Sequence, residues 1–300
     1  MRGEATRRTP YGCARGAVRS CWPASVGLLR LLVVVSLVSA LPALGDSPLD
    51  RESVDRFDTV VIDAGHGGED EGAVGPTGLT EKDLVLELAS RVATRLRAEG
   101  LRIVLTRHSD VFVPLEARTS IANDARADLF VSIHANASRT RKARGVETFF
   151  QALEASDEAA SEVARRENAA FGAGDLQSGV AGPLPAILGD LMRNDSIRES
   201  NEFAKLAQAE LSRADGTPSR GVKQASFVVL RGVQMPSSLI EIGFLTNAED
   251  ERALRSEARR DAIAEALARA VRTFGTRYDE RRGVSARVRA PGALAGPGSR

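Results

Sequence analysis

The 300-residue chain contains three histidines, His66, His108 and His134, and two of them sit where a short apolar run stops. His66 closes the stretch Asp-Thr-Val-Val-Ile-Asp-Ala-Gly-His, and His134 follows Asp-Leu-Phe-Val-Ser-Ile. Apolar, β-branched runs of this length, bounded by glycine or small polar residues, read as buried strands. In an α/β sheet, ligands bind at the carboxyl ends of the strands, so two imidazoles at such ends converge on one place. A catalytic metal centre needs a third protein donor and leaves a further position to water. Two carboxylates stand at equivalent places: Glu81, which opens the helix after the His66 strand, and Glu241, a charge inside Leu-Ile-Glu-Ile-Gly. A carboxylate in an apolar strand end is costly unless it is paired or bound to metal. Glu81 therefore fits a metal ligand, and Glu241 fits the general base of a hydrolytic reaction. Asp63 either orients His66 or holds its turn. His108, in Thr-Arg-His-Ser-Asp, falls in a charged loop and reads as a surface residue, while Arg118 and Asn136 read as loop-fixing or carboxylate-pairing groups. Taken singly, each of the four site residues is equally well a core histidine or a helix cap. Their joint placement at one sheet edge is what points to a metal site. The glycines around His66 are expected to leave room for a polymer to approach it.

Positioning these residues requires strands alternating with helices. The periodicities predict strands over Asp58–Asp63, Leu101–Thr106, Asp128–Ile133, Gly145–Phe150, Phe227–Leu230 and Ser238–Ile242. Helices are predicted from Glu81 to about Gly100, with Thr80 as N-cap and Leu84, Leu88, Val92 and Leu96 as the buried stripe, and from Pro114 to about Arg126. Further helices are predicted over Leu153–Ala170, Ala186–Met192 and Ser200–Arg213, and from the Asn247 cap to about Phe274. The pattern implies a single α/β domain: a mostly parallel, twisted sheet of about six strands, helices on both faces, and the metal site at the carboxyl ends of the strands.

Composition sets the surroundings. The formal charge of +1 hides an uneven distribution, because residues 1–45 carry six arginines and one glutamate, and residues 277–300 carry six arginines against Asp279 and Glu280. The intervening segment is net acidic, which argues against nucleic acid as a partner. Basic residues through Arg30, an apolar run over Leu31–Ala43 and small residues before Asp46 describe a signal peptide, too short for a comfortable membrane span. The expected organisation is signal peptide 1–45, linker 46–56, catalytic domain 57–276 and a disordered basic tail 277–300, in a protein exported to the periplasm or beyond with no stable membrane anchor. Both cysteines, Cys13 and Cys21, precede the apolar run, so thiolate chemistry and disulfides are excluded from the mature chain.

Five blocks, Val-Ile-Asp-Ala-Gly-His-Gly-Gly, Gly-Leu-Thr-Glu-Lys-Asp, Leu-Thr-Arg-His-Ser-Asp, Ala-Asp-Leu-Phe-Val-Ser-Ile-His-Ala-Asn and Ser-Leu-Ile-Glu-Ile-Gly-Phe-Leu-Thr-Asn, occur in order between Asp58 and Phe274. Together they resemble the motif series of the zinc-dependent N-acetylmuramoyl-L-alanine amidases of bacterial cell walls. The resemblance implies one zinc ion held by His66, Glu81 and His134, Glu241 as catalytic glutamate, and cleavage of the amide between muramic acid and L-alanine of the peptide stem. It also bears on residues 153–198, an acidic insertion too short to bury its own core. Some Gram-negative members carry extra helix here that covers the zinc until an activator protein removes it. Glu154, Glu158, Glu162 and Glu167 are the candidates for occupying the open metal position, and deleting 153–192 is expected to raise basal activity. Two other readings stand beside this one: a zinc peptidase cutting within the stem, which would keep the same ligands, and a non-catalytic wall-binding protein that has lost its metal, against which the presence of all four site residues counts.

Overall fold

The computed structural model describes residues 56–169, 186–214 and 217–284, with side chains from 195 onward in the second of these spans. The expected signal peptide, nearly all of the linker, the glycine and proline stretch of the insertion and the last residues of the basic tail lie outside the described residues. Six strands, β1 (Thr59–Ala64), β2 (Arg102–Leu105), β3 (Leu129–Asn136), β4 (Val146–Gln151), β5 (Ser219–Ala225) and β6 (Ser237–Phe244), form one sheet in the order β2-β1-β3-β6-β4-β5. Every neighbouring pair is parallel except β4 and β6.

Parallel neighbours require crossovers, which α1 (Glu81–Ala98) and α2 (Leu115–Asp124) provide. Helices α3 (Glu158–Asn168) and α4 (Ala186–Arg213) fall between β4 and β5, and α5 (Ala248–Leu254) and α6 (Glu257–Arg281) follow β6. From β1 the chain goes outward to β2 and then returns to β3 on the other side. Strand order therefore reverses between β1 and β3, the kind of switch point at which a doubly wound sheet opens a crevice.

Strand alternation sorts the apolar side chains into two cores. Val60, Ile62, Val131, Ile133 and Ile240 pack against α1, α4 and α6, and the predicted stripe Leu84, Leu88, Val92 and Leu96 is buried there. Val61, Phe130, Phe149 and Leu239 form the second core with α2 and α3. Asp63, His134 and Glu241 share the alternation of this second set, which places them on the face that α2 and α3 cover.

Several elements differ from the sequence expectation. The helices expected at Ala186–Met192 and Ser200–Arg213 are one continuous α4, and the helix expected from Asn247 to about Phe274 is divided at Arg255 and Ser256 into α5 and α6. Three further boundaries shift for local reasons. The strand expected at Phe227–Leu230 is a 3-10 turn over Val228–Leu230, and the strand lies upstream as β5. The half-exposed Ser-Arg-Gly-Val-Lys-Gln-Ala shows no clean apolar alternation, whereas a turn can bury three consecutive apolar side chains at once. Helix α3 begins at Glu158 rather than near Leu153, because the Asp157 side chain accepts from the Ala160 amide at 2.7 Å and caps it. Helix α6 runs on to Arg281, since Tyr278 extends its buried face and packs against Phe57 with ring centroids 5.5 Å apart. The first residues of the supposed tail are thus helix. Among the described residues, no helix is long and apolar enough to cross a membrane.

Candidate metal centre

Strand β1 ends at Ala64, and the next two residues deliver the imidazole of His66 to the switch point. Gly65 lies so close to β3 that a Cβ there would overlap the His134 ring, and a Cβ on Gly72 would lie 2.6 Å from Glu81 Oε2. These glycines admit the site's own side chains, a closer duty than the polymer access expected of them. His66 itself has φ 59°, a left-handed conformation that is uncommon outside glycine.

Two buried arginines hold this turn. Arg118 donates to the carbonyls of Ala64 (2.6 Å) and His66 (2.8 Å), while Arg107 donates to those of Ala64 (2.9 Å) and Gly65 (2.8 Å). Asp63 completes the clamp, accepting from Arg118 (2.8 Å), Thr106 Oγ1 (2.6 Å) and Ser132 Oγ (2.6 Å). Burial alone would raise the Asp63 pKa, but Arg118 and the two hydroxyls outweigh it and hold the carboxylate below its ordinary value. Asp63 thus holds the turn and does not bond the His66 ring. The ring's Nδ1 lies 2.8 Å from Asp70 Oδ2, a partner the sequence reading missed. Its available signal was the i,i+4 spacing across a tight turn. Arg118→Ala would leave Asp63 charged and buried without its partner and is expected to cost about 3–5 kcal/mol, read as a lower denaturant midpoint. Asp63 contributes stability above the unfolded carboxylate's pKa of about 3.9, and this is lost as pH falls through the lower folded value. The variant should therefore also lose stability less steeply on acidification.

Four donor atoms meet at the crevice. His66 Nε2 lies 3.1 Å from Glu81 Oε1 and 3.2 Å from Glu167 Oε2. His134 Nδ1 lies 3.1 Å and 2.9 Å from the same two oxygens. All four residues are buried, and one ligand atom of each falls within 4.8 Å of the others. A tetrahedron with arms of about 2.0 Å has edges of about 3.3 Å, so the four contacts between imidazole and carboxylate fit a small divalent ion such as Zn2+. The donor chemistry fits as well, because His66 Nε2 and Glu167 Oε2 are buried with no hydrogen-bond partner among the described residues. Glu81 is fixed by the Ala135 amide on Oε1 (2.9 Å) and the Ala73 amide on Oε2 (2.8 Å).

The electrostatics of the cluster suit a cation. Burial pulls the His134 pKa down, but Glu167 and Glu81 outweigh it and hold it at about 10. His66 is raised in the same way by Glu81, Asp70 and Glu167. Against the burial that would raise them, the imidazoles pull Glu81 down to about 2 and Glu167 well below its ordinary range. The two carboxylates thus favour positive charge at the rings, the charge that a divalent ion supplies. Loading the site with Zn2+ at pH 7 is expected to expel about one to two protons, read by titration calorimetry as a heat that varies with buffer ionisation.

Glu241 is paired in register with His134 across β3 and β6, so the two side chains stand on one face. It is fully buried, neither carboxyl oxygen has a hydrogen-bond partner among the described residues, and burial followed by Glu167 raises its pKa well above the ordinary value. Of the acidic candidates in the insertion, Glu167 alone enters the cluster. Glu154 and Glu158 are exposed, and Glu162 pairs with Arg165 on the outer side of α3. His108 is exposed.

Two histidines and two glutamates, buried together at the switch point of an α/β sheet, form a set that could hold a divalent metal ion. The chain belongs to the N-acetylmuramoyl-L-alanine amidase family, whose sequence profile matches residues 60–273. It is 36% identical to the amidase AmiC of Neisseria meningitidis serogroup B over 220 residues, covering 73% of this chain and 53% of that protein. It is 38% identical to AmiA of Escherichia coli K12 over 228 residues, covering 75% and 79%. The chain thus spans about half the length of AmiC and most of AmiA. Among solved structures, the CwlD amidase of Clostridioides difficile, determined in complex with the GerS lipoprotein, aligns with TM-score 0.56 at 26% identity, covering 73% of this chain and 98% of that one.

Proposed function

We propose that this protein is a zinc amidase of the bacterial cell wall, hydrolysing the bond between N-acetylmuramic acid and L-alanine in peptidoglycan. The observation that carries the reading is the two-histidine, two-glutamate cluster in a chain of this family. His66, Glu81 and His134 would hold the ion, and Asp70, 2.8 Å from Nδ1 of His66, keeps that ring turned so that Nε2 faces the cluster. When bound, zinc supplies Lewis acidity toward the scissile carbonyl and lowers the pKa of water. Glu241 accepts the proton of the attacking water and returns it to the departing alanine nitrogen. Among the described residues neither of its carboxyl oxygens has a hydrogen-bond partner, which leaves both available to water and substrate.

Glu167 acts as the fourth ligand and closes the position that water and substrate require. Helix α3 is the regulatory part of the insertion, and an activator protein lifts it. The helix buries Ala160, Val163 and Ala164, which contributes about 2–4 kcal/mol. It is tied down further where Arg166 donates to the Asn136 side chain (2.7 Å) and the Ala137 carbonyl, and where Asn168 donates to the Ser226 carbonyl and accepts from the Val228 amide (2.8 Å each). A partner that lifts the helix must displace Arg166 and Asn168 as well as Glu167, and the solved complex of CwlD with a lipoprotein is a precedent for partners in this family. Residues 1–45 direct export to the periplasm or the wall. The deciding experiment digests purified sacculi with the mature protein, with and without chelator, and analyses the products. Free L-alanine amino termini that vanish with chelator would support the amidase. Cuts between stem residues, or chelator-resistant release, would sink it.

A further inference from the structure

The loop from β3 to β4 places Arg139, Arg141, Lys142 and Arg144 within six residues of one another. Arg144 is neutralised by Glu249 and lies 3.6 Å from Asp250. The other three are exposed, and among the described residues they have no carboxylate partner. Nor is the loop slack. The Ser138 amide donates to Thr246 Oγ1 (2.9 Å), Asn247 Nδ2 donates to the Arg141 carbonyl (2.8 Å), and the Ala143 amide closes a turn on the Thr140 carbonyl (3.0 Å). Thr246 and Asn247 come directly after β6, and Arg139 is five residues past His134. Three cations are therefore held at the carboxyl edge of the strands that carry His134 and Glu241.

Three like charges so close together repel one another. Carboxylates to quench them are plentiful in the net acidic segment, yet only Arg144 receives any. Such a domain also repels a polymer bearing carboxylates, so a cationic patch beside the site is where attraction to that polymer would be effective. The loop, Ser-Arg-Thr-Arg-Lys-Ala-Arg, has no large apolar side chain to enter a lipid surface.

We propose that Arg139, Arg141 and Lys142 form an electrostatic docking surface for carboxylates of the peptide stems that flank the stem being cut. The inference rests on the amidase reading for its substrate but not for its measurement. Cosedimentation of the full chain with purified sacculi, over a range of salt concentrations, requires no turnover. Replacing all three residues (Arg139→Gln, Arg141→Gln, Lys142→Gln) is expected to weaken low-salt binding by about 100-fold, from about fivefold per cation at an anionic surface. The salt dependence should flatten as well. On sacculi whose carboxyl groups have been amidated, wild type and variant should bind alike. Glu249→Gln, which removes the nearer of Arg144's two carboxylates and leaves Asp250, should tighten binding by up to about fivefold. Unchanged binding of the triple variant to untreated sacculi would overturn the proposal. So would a difference that persists on amidated sacculi, or a loss confined to anionic phospholipid vesicles. Binding that depends on the loop while no wall amide is cleaved would sink the amidase reading and leave the docking surface standing.

Discussion

Glu241→Gln is expected to leave the fold and metal binding intact while lowering turnover on sacculi by about 10²–10⁴-fold, the range ascribed to general acid–base catalysis. The measurement is best made with the block removed, in Glu167→Gln, so that loss of chemistry is not hidden by closure. A carboxyl group without a hydrogen-bond partner contributes nothing to the fold and costs its desolvation. A purely structural Glu241 would be anomalous, and Glu241→Leu should raise the melting temperature while abolishing activity. Retention of near-normal turnover in Glu241→Gln would remove this residue from the reaction.

Glu167→Gln is expected to raise basal turnover by about 10- to 100-fold, the equivalent of the roughly 1.5–3 kcal/mol that charge-assisted contacts contribute. Glu162→Gln, changed one turn away on the same helix, should have no effect because its partner is Arg165. The single exchange is a cleaner test than removal of 153–192. Ala160, Val163 and Ala164 belong to the second core with Phe149 and Phe227, so excising α3 uncovers apolar surface as well as the metal. Equal basal rates for Glu167→Gln and wild type would show that α3 is not the block.

How much of this was legible in the sequence can be traced residue by residue. His66, Glu81, His134 and Glu241 stood out because each is a polar group where periodicity demands an apolar one or a cap, and a sheet edge is a place that sequence can locate. The α/β pattern was equally visible, since parallel strands buried on both faces leave β-branched runs. Glu167 was one acid among four on the insertion, and helical spacing alone does not say which turn reaches the crevice. Asp70 and the Arg118–Asp63 clamp act through contacts between segments distant in the chain or through a glycine turn whose geometry has no periodic signature. Strand β5 was missed for the same reason that Val228–Leu230 misled: a half-exposed edge strand looks polar, and a buried turn looks like a strand.

Because Glu167 of α3 belongs to the metal cluster, the helix and a bound ion would be each other's ligands. If Glu167 tightens zinc binding by some factor, zinc must tighten helix docking by the same factor, because the two share one coupling free energy. A chain that has lost its metal is thus also a chain whose cover is easier to lift. Conversely, a partner that lifts the cover leaves the ion held by three protein ligands and quicker to escape to a competing chelator. On the proposed reading, activity and metal retention would trade against each other, and the closed form would double as the form that stores the ion.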